Sequence, residues 1–546
     1  MKIGSANLEQ KNLLIAIAVL IPLAFFLNLN SYQLLFEEPR RALVALEMIL
    51  SDNWLVPTTN GELYYNKPPL YNWVLIFFIN LLGTAEWVIR LPSVLSLFAT
   101  AFLHYLISRK YIGEKSAILS ALFYITSADI LFFFSLLGEI DLFYAFIVYS
   151  QGLLIFHFYQ KKEWHWLYLS SYLLASAGIL TKGIPSLFFQ GITLLVIFIL
   201  NKDLKRLFSK WHLAGILLLA ITSGGYFYVY SLQHDVGPYL ARLFTETFSR
   251  TALEKNSTDN FRHLFNFPVM MIKISAPWFL LFLLTFRENW KEKLRKNAFL
   301  NFCLWFCLTN GFLYLLSPGT RERYLYMFFP FIYAILAHSL QGMYVLRWIK
   351  KFYFFIGIAV VAGLIGMGVF GLTISFIVPS VFCFILALAI AAVLYYIRLN
   401  SSYVHLLASV IIILVARIGF DLVVLPTKKQ NDPYRNDAQK MARLIGDEPL
   451  YLIGLPQPRI DEVKLAGKLF TTFKRDEPAF LAFQTSFYLS RFTGRILKYT
   501  KVENLPGFYI SNEKFKDPAR VHVYYKFNNK LNKSDDWYIL YKAKPL

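Results

Sequence analysis

Charged side chains suited to acid–base chemistry or phosphate binding lie between long apolar runs of this chain. The densest set follows the first apolar run, in the segment 36–70, where Glu37 and Glu38 precede Arg40 and Arg41. Carboxylates can take a proton from a nucleophile, and lysine or arginine can neutralise charge that develops on a phosphate. This polar loop between apolar segments is therefore the first place to look for a reactive site.

The same loop ends in Tyr64-Tyr65-Asn66-Lys67-Pro68-Pro69. Two consecutive prolines cannot continue a helix, so we expect Lys67 in a stiff turn just before the next apolar run. A lysine held in this way is suited to bind a phosphate. Pairing between acidic and basic loop residues near lipid headgroups explains any one of these charges equally well.

Three short turns between later apolar runs carry further charges. Glu139 and Asp141 flank Ile140, Lys182 precedes Gly183, and Arg323 lies in the run Ser317–Tyr324. An unpaired charge between membrane helices is costly, so such residues are usually functional or ion-paired. If these basic residues converge with Glu37 and Asp141, the set suits a transferase that uses a phosphate-activated lipid donor.

Composition sets the class of protein. The chain has 546 residues, of which 57% are hydrophobic, 18% aromatic and only 16% charged, with a mean hydropathy of +0.47. These values indicate a polytopic membrane protein. A membrane setting explains the net charge of +21 more simply than nucleic-acid binding does. The cysteines lie inside apolar segments, which argues against a disulfide framework or a zinc site: Cys303, Cys307 and Cys383.

Apolar segments predict about thirteen spanning helices, with a shorter helix at 70–83 lying in the membrane interface. Lysine and arginine collect on the side of the N-terminus, which predicts a cytoplasmic N-terminus and a C-terminus outside. The predicted spans are 13–29, 91–108, 117–134, 142–159, 166–180, 184–200, 213–231, 269–286, 298–316, 324–341, 352–375, 379–397 and 403–425.

Residues 1–425 are therefore expected to form the transmembrane domain, and 426–546 a small periplasmic α/β domain. This C-terminal part has 22 basic and 13 acidic residues, which is consistent either with contact with anionic headgroups or substrates or with a solvated basic surface. A helix is predicted at 437–446. Aromatic and β-branched runs predict strands at 451–455, 487–492, 507–511, 521–527 and 537–543.

Five motifs together resemble the membrane glycosyltransferases of the aminoarabinose-to-lipid-A transferase and protein O-mannosyltransferase type, over roughly the first 340 residues. They are EEPRRALVALEMILSDNWLVPTTNGELYYNKPPLYNW, EWVIRLPSVLS, GEID, TKGIP and SPGTRERYLYMFFP. The resemblance implies a polyprenyl-phosphate sugar donor and inversion at the anomeric carbon. It also implies a site at the outer face of the bacterial inner membrane, and a lipid A-like or other envelope acceptor.

The resemblance also implies roles for single residues. Glu37 matches the family's first-loop acidic position, a base or electrostatic stabiliser, with Glu38 beside it, and Asp141 matches the second-loop aspartate. These three are the candidate catalytic residues. The candidate substrate-binding residues, led by the lysines of the KP and TKG motifs, are Lys67, Lys182, Arg40, Tyr64, Arg250 and Arg323.

The chain departs from the family at two linked positions. Aminoarabinose transferases have a glutamate before the KP motif and a Glu-His pair in a later outer loop. That first glutamate and the histidine resemble a metal-ligand pair. This chain has Asn66 and Thr247 at the two positions. A divalent metal is the one cofactor that the family suggests, and we predict that this chain does not use that site. His234 and His263 lie in the same loop, where they are either substitute ligands or headgroup contacts.

Other functions share part of this pattern. A protein O-mannosyltransferase or a polysaccharide polymerase or ligase also uses a lipid-linked donor. A lipid transporter would require polar residues through the span centres and an internal repeat, whereas Asp129 is the main polar exception here. The residues leave open whether the acceptor is a hydroxyl, which needs a base, or a phosphate, which does not.

Overall fold

Long apolar helices make up most of the protein. The computed structural model describes residues 2–248, 257–285, 290–340, 346–396, 401–429, 432–453, 481–513, 516, 520–529 and 537–543. Within these ranges, eight helices are long and apolar enough to cross a membrane, or nine if the bent pair Glu114–Ile125 and Ala128–Leu136 forms one span. The prediction of a mainly helical polytopic membrane protein is confirmed.

The helices, labelled in chain order, are α1 Lys2–Phe26, α2 Glu38–Leu50, α3 Leu70–Leu82, α4 Glu86–Ile112, α5 Glu114–Ile125, α6 Ala128–Phe132, α7 Ile140–Lys161, α8 Trp164–Lys182, α9 Pro185–Leu200, α10 Lys210–Leu219, α11 Gly225–Ser231, α12 Gly237–Phe248, α13 Ser257–Ser275, α14 Phe279–Thr285, α15 Trp290–Lys296, α16 Ala298–Leu315, α17 Phe329–Ser339, α18 Leu346–Thr373, α19 Ile377–Tyr396, α20 Ser402–Lys429, α21 Pro433–Ile445 and α22 Phe483–Thr493. The strands are β1 Thr58–Thr59, β2 Glu62–Leu63, β3 Leu450–Ile453, β4 Lys498–Thr500, β5 Phe508–Asn512, β6 Val521–Asn528 and β7 Trp537–Ala543.

The predicted count of thirteen spans is not confirmed. The segment 184–200 forms α9, which has only 16 residues, and 269–286 is divided between α13 and α14. The segment 324–341 contains a 14-residue apolar stretch, Tyr326–Ser339, that begins with a 3₁₀ turn. Hydropathy counts apolar residues without registering such breaks, so these segments met the sequence criterion without each forming one long helix.

The chain divides into two compact units. The first contains Met1–Tyr32, Arg90–Tyr226 and Thr245–Gln430, and the second contains Gln33–Ile89, Phe227–Phe244 and Asn431–Leu546. The first unit holds nearly all the long apolar helices. The second holds the polar loop 36–70 together with the C-terminal sheet.

In the first unit, buried arginines donate hydrogen bonds to backbone carbonyls at or near helix ends. Arg90 donates to the carbonyl of Leu29, 2.8 Å away, and its guanidinium lies 4.1 Å from the ring centroid of Tyr32. Arg417 pairs with Asp421 at 2.8 Å and also donates to the carbonyl of Leu131. Carbonyls at helix ends lack partners within the helix, so these side chains satisfy groups that would be costly to bury unpaired.

The C-terminal part of the second unit contains a five-stranded sheet with the order β4-β3-β5-β7-β6. Strand β3 is parallel to β4 and β5, whereas β7 is antiparallel to β5 and β6. Helices α21 and α22 pack against each other beside it. The predicted α/β class is confirmed, and the predicted helix at 437–446 lies mostly within α21.

The strand predicted at 487–492 is wrong, because these residues lie in α22. The run Phe487-Tyr488-Leu489 suggested a strand, but a short apolar run does not distinguish strand from helix by periodicity. Residues 485–490 are all buried, so the burial pattern of this segment has no period that separates helix from strand. The last two residues of the strand predicted at 451–455 lie outside the described residues.

Helix α22 is anchored to Glu86, a buried carboxylate at the start of α4. Tyr488 donates its hydroxyl to Glu86 at 3.0 Å, and Arg491 and Arg435 lie 3.2 and 3.4 Å from the same carboxylate oxygen. The Tyr488 hydroxyl also accepts from the backbone N–H of Leu34 at 3.0 Å. One buried carboxylate therefore connects α21, α22 and the chain entering the polar loop.

A second buried carboxylate, Glu47 on α2, holds the hairpin β1–β2. The hydroxyl of Thr58 and the N–H groups of Asn60 and Gly61 donate to it at 2.8, 2.5 and 3.1 Å. Asn60 and Gly61 have φ of +51° and +75°, and Asn-Gly is the pair that favours such a two-residue hairpin turn. Because β2 leads directly to the segment 64–67, Glu47 helps to position Lys67.

Burial raises the pKa of Glu47 to about 7, although the three hydrogen bonds oppose this shift. Between about pH 4.5 and 7 the folded protein therefore binds this proton more tightly than the unfolded chain does. The Glu47 contribution to the free energy of unfolding then falls as the pH rises through this window and is constant above it. We expect Glu47→Gln to lose this slope.

The check is the pH dependence of the thermal unfolding midpoint of wild type and Glu47→Gln in detergent, from pH 5 to 8. Glu62→Gln, on the same hairpin but not fully buried, is the matched control and should keep the wild-type slope. Equal slopes for wild type and Glu47→Gln would contradict this role for Glu47.

Glu86→Ala should destabilise the protein by about 3 kcal/mol, because it leaves two arginines beside a buried site without their counter-charge. We expect a clearly lower thermal unfolding midpoint. Glu448→Ala is the control, since Glu448 pairs with Lys542 at the surface and such pairs contribute about 0–1 kcal/mol. An equal effect of the two substitutions would show that the Glu86 cluster does not stabilise α22.

Candidate active site

Four charged residues from three separate turns converge in the first unit. Lys182 Nζ lies 2.5 Å from Asp141 Oδ1, and Arg323 Nη1 lies 3.3 Å from Glu139 Oε2. Arg323 Nε also lies 3.6 Å from Asp141 Oδ2, so Asp141 is shared between the two cations. The structure thus brings together three of the predicted site residues, Asp141, Lys182 and Arg323.

Helix ends place these four side chains. Glu139 has an extended backbone immediately before α7, and Asp141 lies in the first turn of α7, where the helix dipole favours a negative charge. Lys182 is the last residue of α8, which ends because Gly183 adopts φ +91°, and Arg323 lies in the 3₁₀ turn Glu322–Tyr324. The hydroxyl of Ser93 donates to the carbonyl of Glu139 at 2.7 Å, which fixes the turn before α7.

The cluster contains two negative and two positive charges. Glu139 and Asp141 are only 3% and 2% exposed, so they require the two cations beside them. Burial alone would lower the pKa of the Arg323 guanidinium, but the charges of Asp141 and Glu139 raise it above its ordinary value. An incoming phosphate would compete with Asp141 for Lys182 and Arg323, and this competition would free a carboxylate next to the bound anion.

Aromatic rings line the same cluster, and sequence reasoning did not identify them. Lys182 Nζ lies 4.7 Å from the ring centroid of Tyr144 and 5.1 Å from that of Tyr324. Tyr144 follows Asp141 by three positions, so both lie on one face of α7. This spacing could have predicted from the sequence that Tyr144 lies beside Asp141. The pairing of Glu139 with Arg323 had no local signal, because 184 positions separate these residues.

Two more polar pairs lie beside the Arg323 turn. Tyr326 donates its hydroxyl to Asp129 Oδ2 at 2.6 Å, and Lys273 Nζ lies 3.2 Å from Glu322 Oε1. Asp129, the polar exception among the predicted spans, therefore has a tyrosine partner. These pairs extend the charged cluster at the start of the segment Tyr326–Ser339.

The acidic pair of the polar loop separates into two environments in the second unit. The Glu37 side chain is 36% exposed and forms an ion pair with Arg40, whose guanidinium lies 5.5 Å from the ring centroid of Phe483. Glu38 is fully buried, and its Oε2 accepts from the backbone N–H of Leu35 at 2.8 Å. Of the two, Glu37 is the carboxylate that a substrate can reach, and Glu38 supports the loop.

The other predicted residues of this loop are anchored. Tyr64 is buried, and its hydroxyl accepts from Arg41 Nη1 at 2.7 Å. Lys67 is half-buried, and its backbone carbonyl accepts from the Tyr239 hydroxyl at 3.0 Å. Arg41 and Tyr239 were not among the predicted site residues. Arg250, which was, lies outside the described residues.

The residues present do not fit the metal site that the family resemblance suggests. The Asn66 side-chain oxygen accepts from Arg242 Nε at 2.9 Å, and a guanidinium repels a metal cation at that position. His263 is buried and bonds the Tyr314 carbonyl at 3.0 Å. In the part of the chain that the structure describes, no group of three or more His, Cys, Asp or Glu residues could hold a metal ion.

Comparison with known proteins finds sequence similarity to glycosyltransferases. The dolichyl-phosphate-mannose-protein mannosyltransferase family matches residues 66–227. An undecaprenyl phosphate-alpha-4-amino-4-deoxy-L-arabinose arabinosyl transferase of Pseudomonas savastanoi pv. phaseolicola is 25% identical over 314 residues, 56% of each chain. An uncharacterised protein of Aquifex aeolicus is 30% identical over 296 residues, 53% of this chain and 56% of that one. The chain spans a little over half the length of these two relatives.

Solved structures extend the similarity over almost the whole chain. The crystal structure of ArnT from Cupriavidus metallidurans bound to undecaprenyl phosphate is 16% identical, with a TM-score of 0.68, and covers 98% of this chain and 99% of that chain. The apo structure of the same protein gives 17% identity and a TM-score of 0.69. At these identities the match shows a shared fold. Together, the shared fold and the sequence matches support the resemblance to membrane glycosyltransferases of the aminoarabinose transferase and protein O-mannosyltransferase type.

Proposed function

We propose that the protein transfers a sugar from a polyprenyl-phosphate donor to a lipid A-like or other cell-envelope acceptor at the outer face of the bacterial inner membrane. The observation that carries the proposal is the buried cluster in which Lys182 and Arg323 share Asp141 at the ends of apolar helices. Relatives named as undecaprenyl phosphate-alpha-4-amino-4-deoxy-L-arabinose arabinosyl transferases support the donor class.

In the proposed reaction the donor phosphate is the leaving group. The bond between the anomeric carbon and the phosphate oxygen breaks, and its electron pair stays on that oxygen. Lys182, with Arg323 in support, neutralises the charge that develops there. Lys67 is the proposed phosphate-binding residue of the polar loop. Arg40 and Tyr64 shape the polar loop beside Lys67 and complete the proposed substrate-binding set, together with Arg250.

The acceptor oxygen attacks the anomeric carbon from the face opposite the phosphate, so the configuration inverts. If the acceptor is a hydroxyl, its proton passes to Glu37 or Asp141, and Glu38 keeps the loop in place. If the acceptor is a phosphate, no base is needed, and the carboxylate stabilises positive charge at the anomeric carbon. The family match at residues 66–227 keeps a protein hydroxyl as a second candidate acceptor.

The proposal includes an orientation. We place the N-terminus in the cytoplasm and residues 426–546 in the periplasm, because lysine and arginine collect in the loops on the N-terminal side. The loop 36–70 and the turns at Glu139, Lys182 and Arg323 then face the periplasm, where an envelope acceptor is available.

Asp141→Asn should lower kcat by about 10²–10³-fold, because it removes the charge that orients both cations. The measurement is transfer of labelled sugar from a polyprenyl-phosphate donor to acceptor lipids in proteoliposomes. Asp447→Asn, a fully exposed site on the C-terminal part, is the matched control and should leave kcat unchanged. Wild-type kcat in Asp141→Asn, with the same donor and acceptor, would refute the role given to Asp141.

Lys182→Met should raise the KM for the donor and lower kcat, whereas Lys182→Arg should recover part of both, because arginine keeps the positive charge beside Asp141. Initial rates at varied donor concentration separate the two parameters. Because Lys182→Met also leaves Asp141 with one cation fewer, the thermal midpoint of each variant is compared with wild type. Identical kinetics for the methionine and arginine variants would show that the charge of Lys182 is not used.

A further inference from the structure

An open groove lies between α14 and α18 in the first unit. It has a volume of about 440 Å³, which is within the range of roughly 300–1,000 Å³ that is usual for ligand pockets. Its lining is apolar except for one lysine, and it includes Leu280, Leu283, Trp348, Lys351, Phe352 and Phe355.

Helical spacing produces this lining. Trp348, Phe352 and Phe355 follow one another at intervals of four and three positions, so they lie on one face of α18. On the facing wall, Leu280 and Leu283 of α14 are three positions apart. Phe355 and Leu283 are 57% and 60% exposed, whereas Phe352 is buried. The two helices thus form apolar walls around a buried floor, and this surface is suited to an apolar occupant.

Basic side chains lie at the end of the groove where α18 begins. Lys351 Nζ lies 4.8 Å from the ring centroid of Trp348, and Arg347 and Lys350 are in the same first turns of the helix. All three cations are exposed. Among the residues that the structure describes, none of the three has a carboxylate within ion-pair distance. An anionic group bound here would supply a counter-charge.

The order of these groups along α18 matches the profile of a lipid bilayer. Residues Arg347–Thr373 are long and apolar enough to cross a membrane, so the basic end of α18 lies at a membrane surface. Tryptophan is enriched at that level, and lysine extends its charge from there toward the headgroups. Basic pockets between spanning helices bind anionic lipid headgroups. The groove therefore offers apolar walls to an acyl chain and cations to a phosphate.

A second tryptophan–lysine pair provides an internal comparison. Lys210 Nζ lies 5.5 Å from the ring centroid of Trp211 at the start of α10. Neither residue lines the groove. Attraction of anionic headgroups by surface charge acts on both pairs, whereas only the pair Trp348–Lys351 adjoins the groove.

We propose that the groove binds one membrane phospholipid with an anionic headgroup, with the phosphate on Lys351 and one acyl chain between α14 and α18. Arg347 and Lys350 add to the attraction of the headgroup. The bound lipid is a phospholipid and not the sugar donor, so this inference does not depend on the proposed function.

The test uses the full-length protein in phosphatidylcholine nanodiscs, into which brominated phosphatidylglycerol or brominated phosphatidylcholine is mixed in increasing amounts. Bromine on an acyl chain quenches the fluorescence of a tryptophan that the chain contacts. The signals of Trp348 and Trp211 are obtained by subtracting the signals of Trp348→Phe and Trp211→Phe. The preference at each site is the ratio of the two lipid affinities, and it should be clearly greater at Trp348 than at Trp211.

Lys351→Gln should lower the phosphatidylglycerol preference at Trp348 by about 5-fold, the effect of one basic residue at an anionic membrane surface. Lys351→Arg should keep the preference, because it keeps the charge. Lys210→Gln is the matched control and should leave the preference at Trp348 unchanged. Because Lys351 is exposed, its substitution should also leave the thermal unfolding midpoint unchanged.

Three results would overturn the proposal. Equal preferences at Trp348 and Trp211 would show that surface charge attracts the lipid without the groove. An unchanged preference in Lys351→Gln would show that the lysine does not hold the headgroup. A Trp348 signal that neither brominated lipid quenches would show that something other than a phospholipid covers the groove.

Discussion

The compensation of buried charge around Asp141 is the constraint on which the first unit depends. Its carboxylate is stable inside an apolar helix bundle only because Lys182 and Arg323 lie within 4 Å of it. The start of α7, the end of α8 and the 3₁₀ turn at Arg323 must therefore meet at one point. A neutral cluster of this kind is stable without a ligand, and it can admit an anion only by rearranging its own pairs.

The sequence predicted the membrane class, the polar loop and the turns that supply Asp141, Lys182 and Arg323, because charges between apolar runs are conspicuous. It did not predict the helix at 487–492, since a short apolar run has no distinctive period. It also missed the roles of Glu47, Glu86 and Arg242. Their partners are distant in sequence or belong to the backbone, so only the folded chain shows them.

The hairpin held by Glu47 has a consequence for the thermodynamics of ligand binding. Three hydrogen bonds to one carboxylate and an Asn-Gly turn remove most of the conformational freedom of the chain just before Lys67. That entropy is lost when the protein folds and not when a ligand arrives. For the proposed lipid-phosphate donor, binding beside Lys67 would then carry no further entropic cost for ordering this hairpin.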